Sequence, residues 1–288
     1  MVQIKPFKAL TYNPKKVEIQ DVVTEPYDKI SPELQEKYYK RSPYSAVRLI
    51  LGKQEITDDE KNNRYTRAAD FLEKWQKEKV LIEAEKPQLY AYYQEYKNDG
   101  TRLVRKGLVA LVKLEDFALG NIRPHERTLS KPKADRLNLL RATQTQFGHI
   151  FMLYRDEEKR INTILGDVAS TAKPLFEVKD EYGSWHKLWP INDKDTIDII
   201  VELMQDKSLL IADGHHRYET ACNFSKEKKA WGSVDNPFNY QMMTLVNMDD
   251  KVLYDGVLWR VENVQFKHLL LGNTGYYDAV IIRPSQEY

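Results

Sequence analysis

One cysteine, Cys222, leaves no partner for an intrachain disulfide and no set of thiolates for a zinc site. No apolar run approaches the roughly 18 residues a membrane-spanning helix needs, and the opening MVQIKPFKAL has no long apolar core of a secretion signal. A cytoplasmic protein with no membrane partner is therefore expected. An excess of one charge is missing as well: 44 Lys and Arg stand against 43 Asp and Glu, a formal net charge of +1. Such a balance gives no broad basic field for gripping nucleic acid. Internal repeats and low-complexity tracts are also lacking. What remains is 42% hydrophobic and 30% charged, with 18 Tyr and 5 Trp, a globular composition with a heavily aromatic core.

Local signals come in both periods. Ser31 followed by Pro32 and Glu33 marks a helix start. Residues 63–79 place Tyr65, Ala68, Ala69, Leu72 and Trp75 at helical spacing. SAVRLIL, residues 45–51, suits a strand. QLYAYYQEYK and TRLVRKGLVALVKL flank Asn98, Asp99 and Gly100 and read as a hairpin. A second hairpin is expected to turn at Tyr182 and Gly183, and helices over 134–145 and 193–206. Hairpins with interspersed helices, lacking a regular βαβ cadence, indicate an α+β fold of mixed sheets with flanking helices. The division expected is 1–100, 101–250 and a tail over 251–288.

The densest chemistry lies in LLIADGHHRYETA. A strand over SLLIA delivers Asp213 and Gly214 to the start of a helix, with His215, His216 and Arg217 in or before its first turn. Exposed amides and the helix dipole make such a place an anion site, and a glycine lets the anion approach the backbone. Arg217 adds a planar fork of donors, and each imidazole can add one more. The plainer alternative is an aspartate cap, a turn glycine and packed histidines. Neither a Walker A loop nor a GxGxxG motif is present.

A second cluster is IRPHERTLSKPKADR, with His125 and Glu126 ahead of Arg127, Lys131, Lys133 and Arg136. Cations around a carboxylate keep it ionised, which suits a general base or magnesium ligand; a solvated charged loop is the plainer reading. Tyr27 and Asp28 in TEPYDKISP read first as a turn. His149 reads as a core or edge histidine, and Cys222 as buried and inert.

Together, IADGHHRYETA, PHERTLSKPKADRLNLLRATQTQFGHIFMLY and EPYDKIS resemble a bacterial and archaeal family of uncharacterised SpoOJ/ParB-like proteins. DGHHR is similar to the phosphate motif of the wider ParB and sulfiredoxin fold, which includes kinases of free L-serine. The resemblance implies a ParB/sulfiredoxin-like core. It also implies a nucleotide-phosphate site at Asp213, Gly214, His215, His216 and Arg217, with Glu126 as base beside His125. Lys131, Lys133 and Arg136 would neighbour the phosphate or substrate. Relatives of that kind run about a hundred residues longer, a normal size for a further subdomain, so the tail is expected to be divergent or truncated.

The expected function is then a phosphotransferase using ATP or ADP with Mg2+ on a small hydroxyl substrate, L-serine foremost. A ParB-like, nucleotide-gated DNA-binding protein is the second reading, though neither a basic face nor a helix-turn-helix module is evident. Metal-dependent hydrolysis by Asp213, His215, His216, His125 and Glu126 ranks third, because adjacent helical histidines point about 100° apart.

Overall fold

The computed structural model describes residues 1–98, 100–124, 130–234, 236–250 and 280–281. The amino-terminal part runs through strands β1 (Ile4–Lys5) and β2 (Leu10–Tyr12), then helices α1 (Ile19–Val22), α2 (Pro32–Arg41), α3 (Val47–Ile50) and α4 (Arg64–Lys77), and ends at β3 (Leu81–Glu83). Capping chemistry fixes the helix starts. Ser31 accepts from the Leu34 amide ahead of α2, and Asn63 with Thr66 forms a reciprocal capping box ahead of α4. α4 buries Ala68, Leu72 and Trp75 along one stripe, against Tyr12, Leu49 and Ile50.

The expected strand over SAVRLIL is instead a single helical turn, α3, with Val47, Leu49 and Ile50 all buried. A short apolar run buried on every side carries no periodicity to separate the two states. Tertiary packing beneath α4 decides it here.

β4 (Leu89–Asn98) and β5 (Thr101–Lys113) form the expected hairpin, turning through Gly100 at φ +79°. The boundary expected at residue 100 falls in that turn. There follow β6 (Ile122–Arg123), α5 (Ser130–Thr143), β7 (Ile150–Tyr154), α6 (Arg160–Thr171), β8 (Phe176–Lys179) and β9 (Trp185–Ile191). Then come α7 (Lys194–Gln205), β10 (Leu209–Asp213), α8 (His215–Glu227), β11 (Tyr240–Asn247) and β12 (Val280–Ile281).

Among the described residues, nine strands build one sheet in the order β6-β10-β7-β11-β5-β4-β9-β8, with β1 beside β5. The β6–β10 and β7–β11 pairs are parallel and the others antiparallel. β12, β2 and β3 make a second, smaller sheet. The fold is α+β, with mixed sheets, hairpins and flanking helices.

The centre of the large sheet is buried on both faces. On one, Leu108, Ala110, Met243 and Leu245 meet apolar side chains supplied by α6 through Leu165, by α7 through Ile200 and Met204, and by α8 through Tyr218 and Ala221. On the other, Tyr90, Tyr92, Val109, Phe151 and Met242 pack with Phe7. A Cβ at Gly107 would stand 2.6 Å from the Thr244 methyl, so glycine there permits the β5–β11 approach. α5 touches both α4 and α8, and its Leu139 belongs to the same apolar cluster as Trp75. That placement of α5 joins the amino-terminal helices to the start of α8.

Candidate functional site

The chain leaves β10 at Asp213, turns through Gly214 at φ +96°, and enters α8 at His215. Glycine is required twice over at this turn: the left-handed backbone disfavours a side chain, and a Cβ would lie 3.2 Å from the Arg217 guanidinium. Arg217 folds back over the turn. Its Nη2 donates to Asp213 Oδ2 at 2.7 Å and its Nη1 to the His149 carbonyl at 2.7 Å. One guanidinium thus ties the end of β10 to the loop before β7. The two histidines diverge as helical neighbours must: His215 is buried, and His216 is half-buried. The first-turn amides and helix dipole give this end a positive potential.

Beside it opens a cleft of about 560 Å³, counting the solvent at its mouth, walled by Tyr27, Arg136, Leu139, Phe147, Arg217 and Thr220. Three separate sequence motifs meet there. The Arg136 guanidinium lies 3.8 Å from the centre of the Tyr27 ring, close enough for a cation–π stack. Arg136 also donates to Asp135 and, at 2.8 Å, to the Ile50 carbonyl. Burial pushes the Tyr27 phenol up, with Arg136 and Arg217 pulling against it. Asp135 receives Arg64 at 2.5 Å and the Tyr65 hydroxyl at 2.8 Å. Burial would raise this carboxyl, but Arg136, Tyr65 and Arg64 outweigh it and hold the group below the usual carboxylate range.

Lys133 pairs with Glu219 at 2.7 Å, clamping α5 to α8. His125, Glu126 and the Lys131 side chain lie outside the described residues. His149 is buried, with Nδ1 bonded to the Thr244 hydroxyl. Burial pushes the Cys222 thiol up to about 12, which removes it as a nucleophile near neutrality. Tyr27, read from the sequence as a turn residue, stands in a short 3-10 turn and stacks against Arg136 in the cleft lining. No local signal could have announced that pairing, since 109 positions of chain separate the two.

Sequence reasoning also missed a buried polar chain on the sheet. His186 Nε2 lies 3.1 Å from Asp180 Oδ2, and its Nδ1 lies 2.5 Å from the Tyr92 hydroxyl. Asp180 further accepts from the amides of Tyr182 and Ser184. Burial would raise the Asp180 carboxyl, but the His186 bond and the two amides prevail and keep it depressed. The Tyr92 ring meets His149 edge-on at 5.8 Å. A histidine and an aspartate flanking the turn of the β8–β9 hairpin were the available signal; Tyr92 enters only through the β4–β9 register.

Among the described residues, no three His, Cys, Asp or Glu side chains are grouped to hold a metal ion, and no helix is long and apolar enough to cross a membrane.

A family described as "Protein of unknown function (DUF1015)" matches residues 4–254. The chain belongs to that family. The SpoOJ/ParB-like attribution is thereby overturned: the matching family is a different one, and nothing ties this sheet to the ParB/sulfiredoxin core. A short histidine-bearing turn ahead of a helix answers to general helix-terminus chemistry, so likeness there did not carry ancestry. No curated protein and no solved structure matches the chain. DUF1015 membership spans both the amino-terminal helices and the large sheet, and therefore both walls of the cleft.

Proposed function

We propose that this DUF1015 protein is a phosphotransferase that moves a phosphoryl group from ATP or ADP to a small hydroxyl compound, L-serine being the first acceptor to test. The observation that carries the reading is Arg217, held over Gly214 by Asp213 and the His149 carbonyl at the amino end of α8 and lining the same cleft as Arg136. Phosphoryl transfer asks a protein mainly for positioning and for neutralising charge on the moving group. A braced guanidinium, first-turn amides and a half-buried imidazole at His216 supply both. Magnesium would arrive on the nucleotide and shield its phosphates, with Asp213 a carboxylate at the same turn. Glu126 is the base in this reading, drawing the proton from the acceptor hydroxyl.

The test is nucleotide consumption by the purified chain, followed with and without acceptor. Turnover should depend on L-serine or another small hydroxyl compound, and His216→Ala or Glu126→Ala should abolish it. Acceptor-independent turnover would remove the acceptor, and failure to bind any nucleotide would remove the class.

A further inference from the structure

Thr220 keeps a buried hydroxyl that no described residue answers. The residue is 3% exposed, and its Oγ1 finds no hydrogen-bond partner among the described residues. A helical threonine ordinarily satisfies itself on a carbonyl one turn back. Thr220 does not, although Thr143 of α5 does so through the Leu139 carbonyl at 2.8 Å. Three positions separate Thr220 from Arg217, so the two share a face of α8, and both line the cleft.

The rest of the cleft lining combines a stacked cation–aromatic pair with apolar side chains. The Tyr27–Arg136 stack, with Leu139, Ile50 and Phe147 beside it, offers a surface against which a planar ring can lie. The polar side chains deeper in the cleft are already engaged with the backbone: Gln146 bonds the Tyr240 carbonyl and the Met242 amide at 2.7 Å each, and Thr145 bonds the Thr143 carbonyl at 2.8 Å. From Gly214 to Thr220 the helix rises roughly 9 Å, a span that a ring joined to a sugar and phosphates can cover.

We infer that the cleft between Tyr27, α5 and α8 seats the ring end of a nucleoside phosphate, with Thr220 hydrogen-bonding the ring or sugar while the phosphates reach the first turn of α8. The inference rests on the proposed phosphate site for one end of the ligand and adds the other. It assigns specificity to Thr220 and to the Tyr27–Arg136 stack.

Calorimetric titration of the full chain with adenosine, pyrophosphate and ADP separates the two ends. ADP should bind at least tenfold more tightly than pyrophosphate. Thr220→Val should raise the melting temperature of the free protein, because it deletes an unanswered buried hydroxyl, yet weaken ADP about tenfold and leave pyrophosphate unchanged. Thr220→Ser, which keeps the hydroxyl, should restore ADP affinity. Equal binding of ADP and pyrophosphate, or ADP affinity unmoved by Thr220→Val, overturns the ring seat and leaves the phosphate site standing. Adenosine binding that Thr220→Val weakens, with pyrophosphate silent, upholds the ring seat and removes the phosphate reading. Silence from all three overturns both.

Discussion

Two polar clusters sit in this molecule under opposite rules. Where the β8–β9 hairpin meets β4, Asp180, His186 and Tyr92 answer one another: the carboxylate takes an imidazole and two amides, and the imidazole's other nitrogen meets the tyrosine hydroxyl. In the cleft between α5 and α8, Thr220 is just as thoroughly buried and has no such partner among the described residues. Buried polar groups that are bonded hold a structure in one arrangement, whereas an unanswered one lowers stability unless something else is recovered. The contrast assigns the first cluster to stability and the second to recognition.

Asp180→Ala should produce the largest loss, about 3–5 kcal/mol in denaturant unfolding, since it removes the acceptor that faces buried His186 and takes the Ser184 and Tyr182 amides. A loss below about 1 kcal/mol, the size of a single ordinary hydrogen bond, would mean that the cluster is not what holds the β8–β9 hairpin. The same carboxylate predicts a pH response. Its native acidity is stronger than its unfolded acidity, so its stabilisation is complete above the unfolded value near about pH 4 and fades as the pH falls through the lower native value. Acid unfolding of Asp180→Asn should lack that component, as a midpoint-versus-pH series would reveal. Tyr92→Phe should cost about 1–3 kcal/mol by leaving a ring nitrogen of His186 without its hydroxyl. Thr220→Val should run the other way, a gain of about 1 kcal/mol in the free protein; a loss there would erase the distinction between the clusters. Smallest of all, Lys133→Met should change stability by less than about 1 kcal/mol, because its ion pair with Glu219 remains partly exposed.

Much of the frame could be read from residue order because the signals were local. Ser31 and Asn63 cap helices through side chains within three positions, and Asn98 and Gly100 stand at the turn of a hairpin. SLLIA and DGHHR announced the strand-to-helix junction at Gly214 for the same reason. The α3 turn was misread because an apolar run of that length fits a buried helix or a buried strand equally well. The cleft was half visible. Arg136 and Arg217 could be named as cations near a phosphate, but that they share a cleft with Tyr27 and Thr220 depends on α5 lying between α4 and α8. The Asp180–His186–Tyr92 chain stayed hidden for a related reason, since strand register alone brings β4 alongside β9. Ancestry was misread from IADGHHRYETA, PHERTLSKPKADRLNLLRATQTQFGHIFMLY and EPYDKIS taken together, and the DGHHR part describes a chemical solution that unrelated folds can reach.

Arg217 carries its own counterion, and that has a selective consequence. An arriving anion must compete with Asp213, whose oxygen already lies 2.7 Å from the guanidinium. For a lone chloride or acetate the exchange nearly cancels, so common cellular anions gain little by settling there. On the proposed reading, a polyanion that also engaged the neighbouring amides would displace the aspartate and leave its exposed carboxylate at the turn.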